Sequence, residues 1–205
     1  MEAMEVNHRP TLRDEQAELT RRRITEAARR LFAARGYGAT TLQAVAAEAG
    51  VAVQTVYAIY RSKAGILRAL RGAVLLQPEA EALYGEAMAA ESAERKLDLF
   101  ARSIRRRWES GSDVVLFHLE AGSVDPAVRS EVDDVLGRRR GGLAALAGSL
   151  EGSLAPELDR AAAAAVLDAL TLPEAYDGLT RIHGWSPDRY EAWLANAMKR
   201  LLLAR

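Results

Sequence analysis

Apolar residues recur along most of the chain at the three- and four-residue spacing of a single helix face, and the breaks fall at glycine, proline and hydroxyl residues. Ile24, Ala27, Ala28, Leu31 and Phe32 stand at offsets 0, 3, 4, 7 and 8, which predicts a helix over 20–35. Gly36 follows and suits the left-handed position just past a helix end. Thr40 or Thr41 then offers an N-cap to a two-turn helix carrying Leu42, Val45, Ala46 and Ala49, closed by Gly50. A helix that short depends on packing against its neighbours.

The next stretch, Gly50 to Lys63 (GVAVQTVYAIYRSK), is rich in β-branched residues and would favour an extended backbone by local propensity. The helical segments on either side leave such a strand nothing to pair with, so the segment is predicted as a helix set by tertiary packing. Val51, Val56 and Tyr60 then turn back onto the preceding helices. Val53, Gln54, Thr55, Ala58 and Ile59 face outward, with Tyr57 at the border. Ser62 caps a further helix from Lys63 to about Leu76, carrying Ile66, Leu67 and Leu70 inward. A short helix, a glycine turn and a second helix make a helix-turn-helix, with one face left to meet something.

From Glu79 onward helix follows helix. Leu97, Phe100, Ala101, Ile104 and Trp108 share one stripe, and 113–121, apolar almost all round, is expected in the middle of a domain. Val128, Val132, Val135 and Leu136 start another helix, which Gly141-Gly142 is expected to interrupt before Leu143, Leu146 and Leu150. Pro156 is expected to open an alanine-rich helix that Pro173 stops or kinks, and Tyr190, Trp193, Leu194, Ala197 and Leu201 form the last stripe. Nothing reads as a sheet. The expected fold is all-α: a flexible N-terminal arm (1–17), a three-helix bundle with the helix-turn-helix (18–72) and a larger helical domain (73–205).

Composition narrows the chemistry. The 205 residues include no cysteine, which excludes disulfides, thiolate metal sites and cysteine nucleophiles. The three histidines, His8, His118 and His183, have no metal-ligand spacing. No serine–histidine–acid set or phosphate-cradling glycine loop stands out, so neither an enzyme nor a metal or cofactor is expected. No segment has signal-peptide character or the roughly 18 consecutive apolar residues of a membrane span, and the expected location is the cytoplasm. The formal net charge of zero hides a division: up to Gly72 there are twelve basic and seven acidic residues, beyond it sixteen and twenty-one. The +5 and −5 parts suggest that the first meets a polyanion.

The order and spacing of Leu31-Phe32, Gly36-Tyr37, Thr40-Thr41, Val45-Ala46, Ala49-Gly50-Val51, Val56-Tyr57, Tyr60 and Ser62-Lys63 resembles the TetR family of bacterial transcriptional regulators over about residues 20–71. Two positions depart from the family pattern: Gly65, where an acid is more usual, and Tyr60, more often phenylalanine. The resemblance implies that 53–60 lies in the major groove of a double-stranded operator, with Tyr57 and Lys63 on phosphates. Thr40 and Thr41, at a helix N-terminus, suit a phosphate as well. Base reading falls to Gln54, Gln43 and Thr55, while Val53 and Ile59 either touch thymine methyls or pack under a neighbour. The absence of arginine from this face predicts an operator without a dominant arginine–guanine contact.

A single helix-turn-helix covers a small site, and dimers gain by reading two half-sites. The small residues Ala162, Ala165, Val166 and Ala169, with Tyr190, Trp193, Leu194, Ala197 and Leu201, are the candidates for a homodimer face. Tyr84, Trp108, Phe117, His118 and Tyr176 are the candidates for an effector pocket, with Trp185 as a further wall, and the arginine runs 105–107 and 138–140 are expected to be solvated faces, the alternative being that they bind an acidic effector. The function expected is a dimeric repressor released from a palindromic operator by a small molecule. The competing reading is an all-helical carrier or enzyme whose first bundle only resembles a DNA reader.

Overall fold

The computed structural model describes residues 11–75 and 77–204. The chain divides into two compact units between Leu70 and Arg71. The first contains α1 (Leu12–Ala39), α2 (Leu42–Ala49), α3 (Val53–Tyr60) and the start of α4 (Lys63–Leu75). Its core is the predicted stripe of α1, with Ile24, Ala27 and Ala28 fully buried, closed by Val45, Val56, Ile66 and Leu67.

α1 begins at Leu12, well before the first buried residue. Six residues of the expected arm are therefore helical, and the first ten lie outside the described residues. A capping box starts the helix: Thr11 N donates to Asp14 Oδ2 at 3.0 Å and Asp14 N donates to Thr11 Oγ1 at 3.3 Å. The hydrogen bonds from Thr11, side chain first, hold the Asp14 carboxyl below its ordinary range. Glu18 pairs with Arg21 and Arg22 one turn on. Gly36, at φ 79°, breaks the helix where expected, and one further turn brings Tyr37 inward with its ring 5.3 Å from that of Phe32.

The second unit is built round α6 (Ala93–Val124), which packs against α5 (Pro78–Ala89), α7 (Pro126–Gly148), α9 (Pro173–Asp177) and α10 (Pro187–Leu202). The stripe Leu97, Phe100, Ala101, Ile104 and Trp108 is buried, as the spacing predicts. Gly111 (φ −174°, ψ 36°) divides α6 into two halves, and the second buries one side only: Val114, Phe117, His118 and Ala121 are inside while Glu120 is exposed.

Two expectations are corrected. α7 runs unbroken through Gly141-Gly142, because a helical glycine costs only about 1 kcal/mol against alanine and packing on α6 and α8 (Arg160–Leu170) offsets it. α8 starts at Arg160 with Asp159 as N-cap, its side chain accepting from Ala162 N, so Pro156 lies in the preceding turn; Pro173 opens α9. Among the described residues there is no strand, only one isolated bridge between Leu154 and Leu203.

Candidate nucleic-acid interface and effector cavity

α2 ends on Gly50 in the left-handed region (φ 64°, ψ 42°). Val51 N donates to Ala46 O at 3.0 Å and Gly50 N to Ala47 O at 3.2 Å, which satisfies the last carbonyls and turns the chain sharply. α3 leaves at 112° to α2, within the helix-turn-helix range. A Cβ on Gly50 would lie 2.7 Å from Arg23 Nη2, the end of a flexible exposed side chain that can swing aside, so it is the left-handed backbone that favours glycine at this corner.

α3 keeps one residue, Val56, wholly inside. Gln54, Tyr57 and Ala58 are exposed, and Val53, Thr55 and Ile59 partly so. Tyr60 is half-buried and its hydroxyl donates to Arg21 O at 3.3 Å, so the departure from phenylalanine ties α3 to α1. Burial, then the neighbouring Glu18, pushes the Tyr60 phenol up against the opposing Arg21. Gln43 is exposed on α2 beside Thr41, which is the N-cap and accepts from Ala44 N at 3.1 Å.

Two of the expected phosphate contacts have other partners. Thr40 is buried and its hydroxyl donates to Gly36 O at 2.8 Å, closing the end of α1, so of the threonine pair Thr41 alone is exposed. The Lys63 ammonium donates to Tyr37 O at 2.8 Å and Gly38 O at 3.1 Å and lies 4.5 Å from the centre of the Tyr37 ring. Its charge thus sits at the carboxyl end of α1, where a helix favours a cation.

The turn after α3 is unusually tight. Arg61 adopts φ 63°, ψ −37°, and Ser62 N donates to Tyr60 O at 2.7 Å, a three-residue turn of the strained hand. Ser62 Oγ accepts from Gly65 N at 3.2 Å, and a Cβ at residue 65 would run into the Tyr60 carbonyl oxygen. The glycine that departs from the family pattern is therefore the residue this turn requires.

In the second unit a cavity of about 490 Å³ lies between α5, α6 and α7, closed by Leu172 and Pro173. Tyr84, Trp108 and His118 line it. Phe117 and Tyr176, expected beside them, are buried outside its lining; the Tyr176 ring stands edge-on to Tyr190 at 4.9 Å. Trp185 also stands apart, 6.1 Å from the Trp193 ring with Arg189 over its face. The arginine runs, expected chiefly as solvated faces with an acidic effector as the alternative, are divided by the structure. Arg107, Arg138 and Arg139 line the cavity, whereas Arg105 is drawn away to Glu109, Asp188 and Glu191. The signal available was their position on helices that also carry cavity-wall residues.

The dimer candidates separate into two sets. Tyr190 and Leu194 are fully buried in their own unit, which removes them from any face between subunits. Ala165, Ala169 and Leu201 are exposed, and Ala162, Val166, Trp193 and Ala197 partly so.

A three-helix bundle whose short α2 and exposed α3 meet at a sharp corner of 112° defines a helix-turn-helix DNA-binding module, followed here by a helical domain with a cavity. Residues 24–70, the unit that carries the helix-turn-helix, match the family model described as bacterial regulatory proteins, tetR family. The fold of the chain is similar to that of NalD, the secondary repressor of the MexAB-OprM multidrug efflux pump in Pseudomonas aeruginosa. The identity is 23%, over 92% of this chain and 98% of that one, with a TM-score of 0.69. It is likewise similar to the TetR family regulator PfmR from Thermus thermophilus (23% identity, 96% and 100% coverage, TM-score 0.67). SmeT, solved as a complex with triclosan, matches at 19% identity over 90% and 92% with a TM-score of 0.65. No curated sequence relative matches the chain.

Proposed function

We propose that this regulator is a dimeric repressor, released from a palindromic operator when a small molecule enters the cavity between α5, α6 and α7. The observation that carries the reading is the outward face of α3: eight residues with one buried side chain, set across α2 at 112°. Gln54 suits a bidentate contact to adenine, Val53 and Ile59 suit thymine methyls, and Thr41 and Tyr57 suit phosphates. Lys63 acts chiefly through α1, whose end it holds. That NalD is a repressor and SmeT binds triclosan supports repression and an effector in the same fold.

α8 and α10 pack on one another, and each keeps a strip of small or apolar residues outside the core. That pair of helices is the homodimer face, with Val166 and Leu201 among its members. Two α3 helices then read half-sites about 34–36 Å apart, and an effector acts by preferring the conformer in which that spacing is lost.

Selection of bound duplexes from a random DNA library by the purified chain tests the reading. The expected consensus is an inverted repeat with half-sites one helical turn, or a multiple of it, apart. Recovery of no consensus at moderate salt would replace the operator reading by nonspecific charge attraction.

A further inference from the structure

The walls of the cavity have little hydrogen-bonding capacity left. Tyr84 Oη donates to Gly142 O at 2.9 Å, Ser103 Oγ to Ala80 O at 2.8 Å and Trp108 Nε1 to Thr171 O at 3.2 Å. Phe100, Ile104, Val132, Val135 and Leu143 supply apolar surface between them. An occupant therefore meets a mostly aliphatic and aromatic interior of a size usual for small-molecule sites.

The charges at its edge are predominantly of one sign. Arg71, Arg107, Arg138 and Arg139 line the cavity against a single lining acid, Glu81. Glu81 is committed to Arg107 at 2.9 Å, and Arg71 has Glu131 at 3.4 Å. Arg139 is fixed by three bonds: Nε to Asp168 Oδ1 at 2.8 Å, and Nη2 to Asp168 O at 3.1 Å and Thr171 Oγ1 at 2.9 Å. Those bonds leave its Nη1 donors for another acceptor. Arg138, next along α7 and exposed, has no ion-pair partner among the described residues. A guanidinium already held in place loses little freedom on receiving a carboxylate, and charge-assisted bonds of this kind are among the stronger polar contacts.

We propose that the effector is an amphiphilic carboxylic acid: an apolar body in the cavity, and a carboxylate received by Arg139 Nη1 and Arg138 at its edge. This rests on the reading of the cavity as the effector site. A cationic ligand would meet uncompensated arginine and no uncommitted lining carboxylate. A polyhydroxylated one would find the wall donors already used.

Calorimetric titration of the full chain with 4-phenylbutyrate, 4-phenylbutan-1-ol and 4-phenylbutylamine compares one apolar body carrying three heads. The acid is expected to bind at least about tenfold more tightly than the alcohol, the amine least of all. Arg138→Ala, an exposed position, weakens binding of the acid more than that of the alcohol and so narrows the gap between them, and Arg139→Gln narrows it further. An alcohol or amine that matches the acid overturns the anion assignment while leaving the cavity as a ligand site. An acid preference that survives both variants overturns the assignment to these two arginines. Failure of all three compounds to bind a chain shown folded by circular dichroism overturns the anion assignment and the cavity reading together.

Discussion

Arg61 and Gly65 share one turn and have opposite needs. Arg61 holds a positive φ that favours glycine, and Gly65 occupies a place where any Cβ would meet the Tyr60 carbonyl. Arg61→Gly should therefore stabilise the chain by up to about 1 kcal/mol in urea unfolding, through relief of backbone strain. Gly65→Ala should cost about 1–3 kcal/mol, since backbone must move to admit the methyl group. Tyr190 makes a different residue-scale case. It is fully buried, and its hydroxyl has no hydrogen-bond partner among the described residues. Burial, with Tyr176 adding to it, pushes its phenol well above the ordinary value against a smaller opposing effect of Arg139. The folded state thus holds the proton more tightly than the unfolded one. Stability is unaffected below about pH 10, where the unfolded tyrosine starts to ionise, and is lost as pH rises beyond that. Tyr190→Phe should be neutral or stabilising by about 1 kcal/mol at pH 7, with a shallower loss of stability above pH 10.

At the scale of elements, glycines divide by what surrounds them. Gly141, inside α7, has open space where a Cβ would go, so Gly141→Ala should raise the melting temperature, by about 0.5–1 kcal/mol in stability. Gly122, inside α6, would place a Cβ 2.6 Å from Val132 Cγ2, and Gly122→Ala should lower it by forcing α6 and α7 apart. A sequence cannot tell these two glycines apart, and for that reason Gly141-Gly142 reads there as an interruption. What was legible came from side chains that must be buried: the stripe from Ile24 to Phe32, the stop at Gly36, the corner at Gly50 and the stripe from Leu97 to Trp108. The early start of α1 was hidden because residues 11–23 bury nothing and the helix is held by Thr11, Asp14 and surface pairs. On α10 the apolar arc is wider than one stripe. Tyr190, Leu194, Met198 and Leu202 take the inner side, leaving Trp193, Ala197 and Leu201 toward the outer, and periodicity does not say which half meets the chain's own core.

For the whole molecule, the division of charge puts the excess of positive residues in the part that carries α3, where a polyanion would meet it. The proposed binding to an inverted repeat requires in addition two copies acting together. Sedimentation should find the wild-type chain dimeric, and Val166→Glu combined with Leu201→Glu monomeric, with operator binding weakened in the same variant. A double variant that stays dimeric would place the subunit contact elsewhere. The cavity adds something that no label need supply. Trp108 is the only one of the three tryptophans in its lining, while Trp185 and Trp193 stand edge-on to each other outside it. Subtracting the emission of a Trp108→Phe variant from that of the wild type therefore isolates a single fluorophore in the wall, and the unlabelled protein reports in its own ultraviolet fluorescence when the chamber fills.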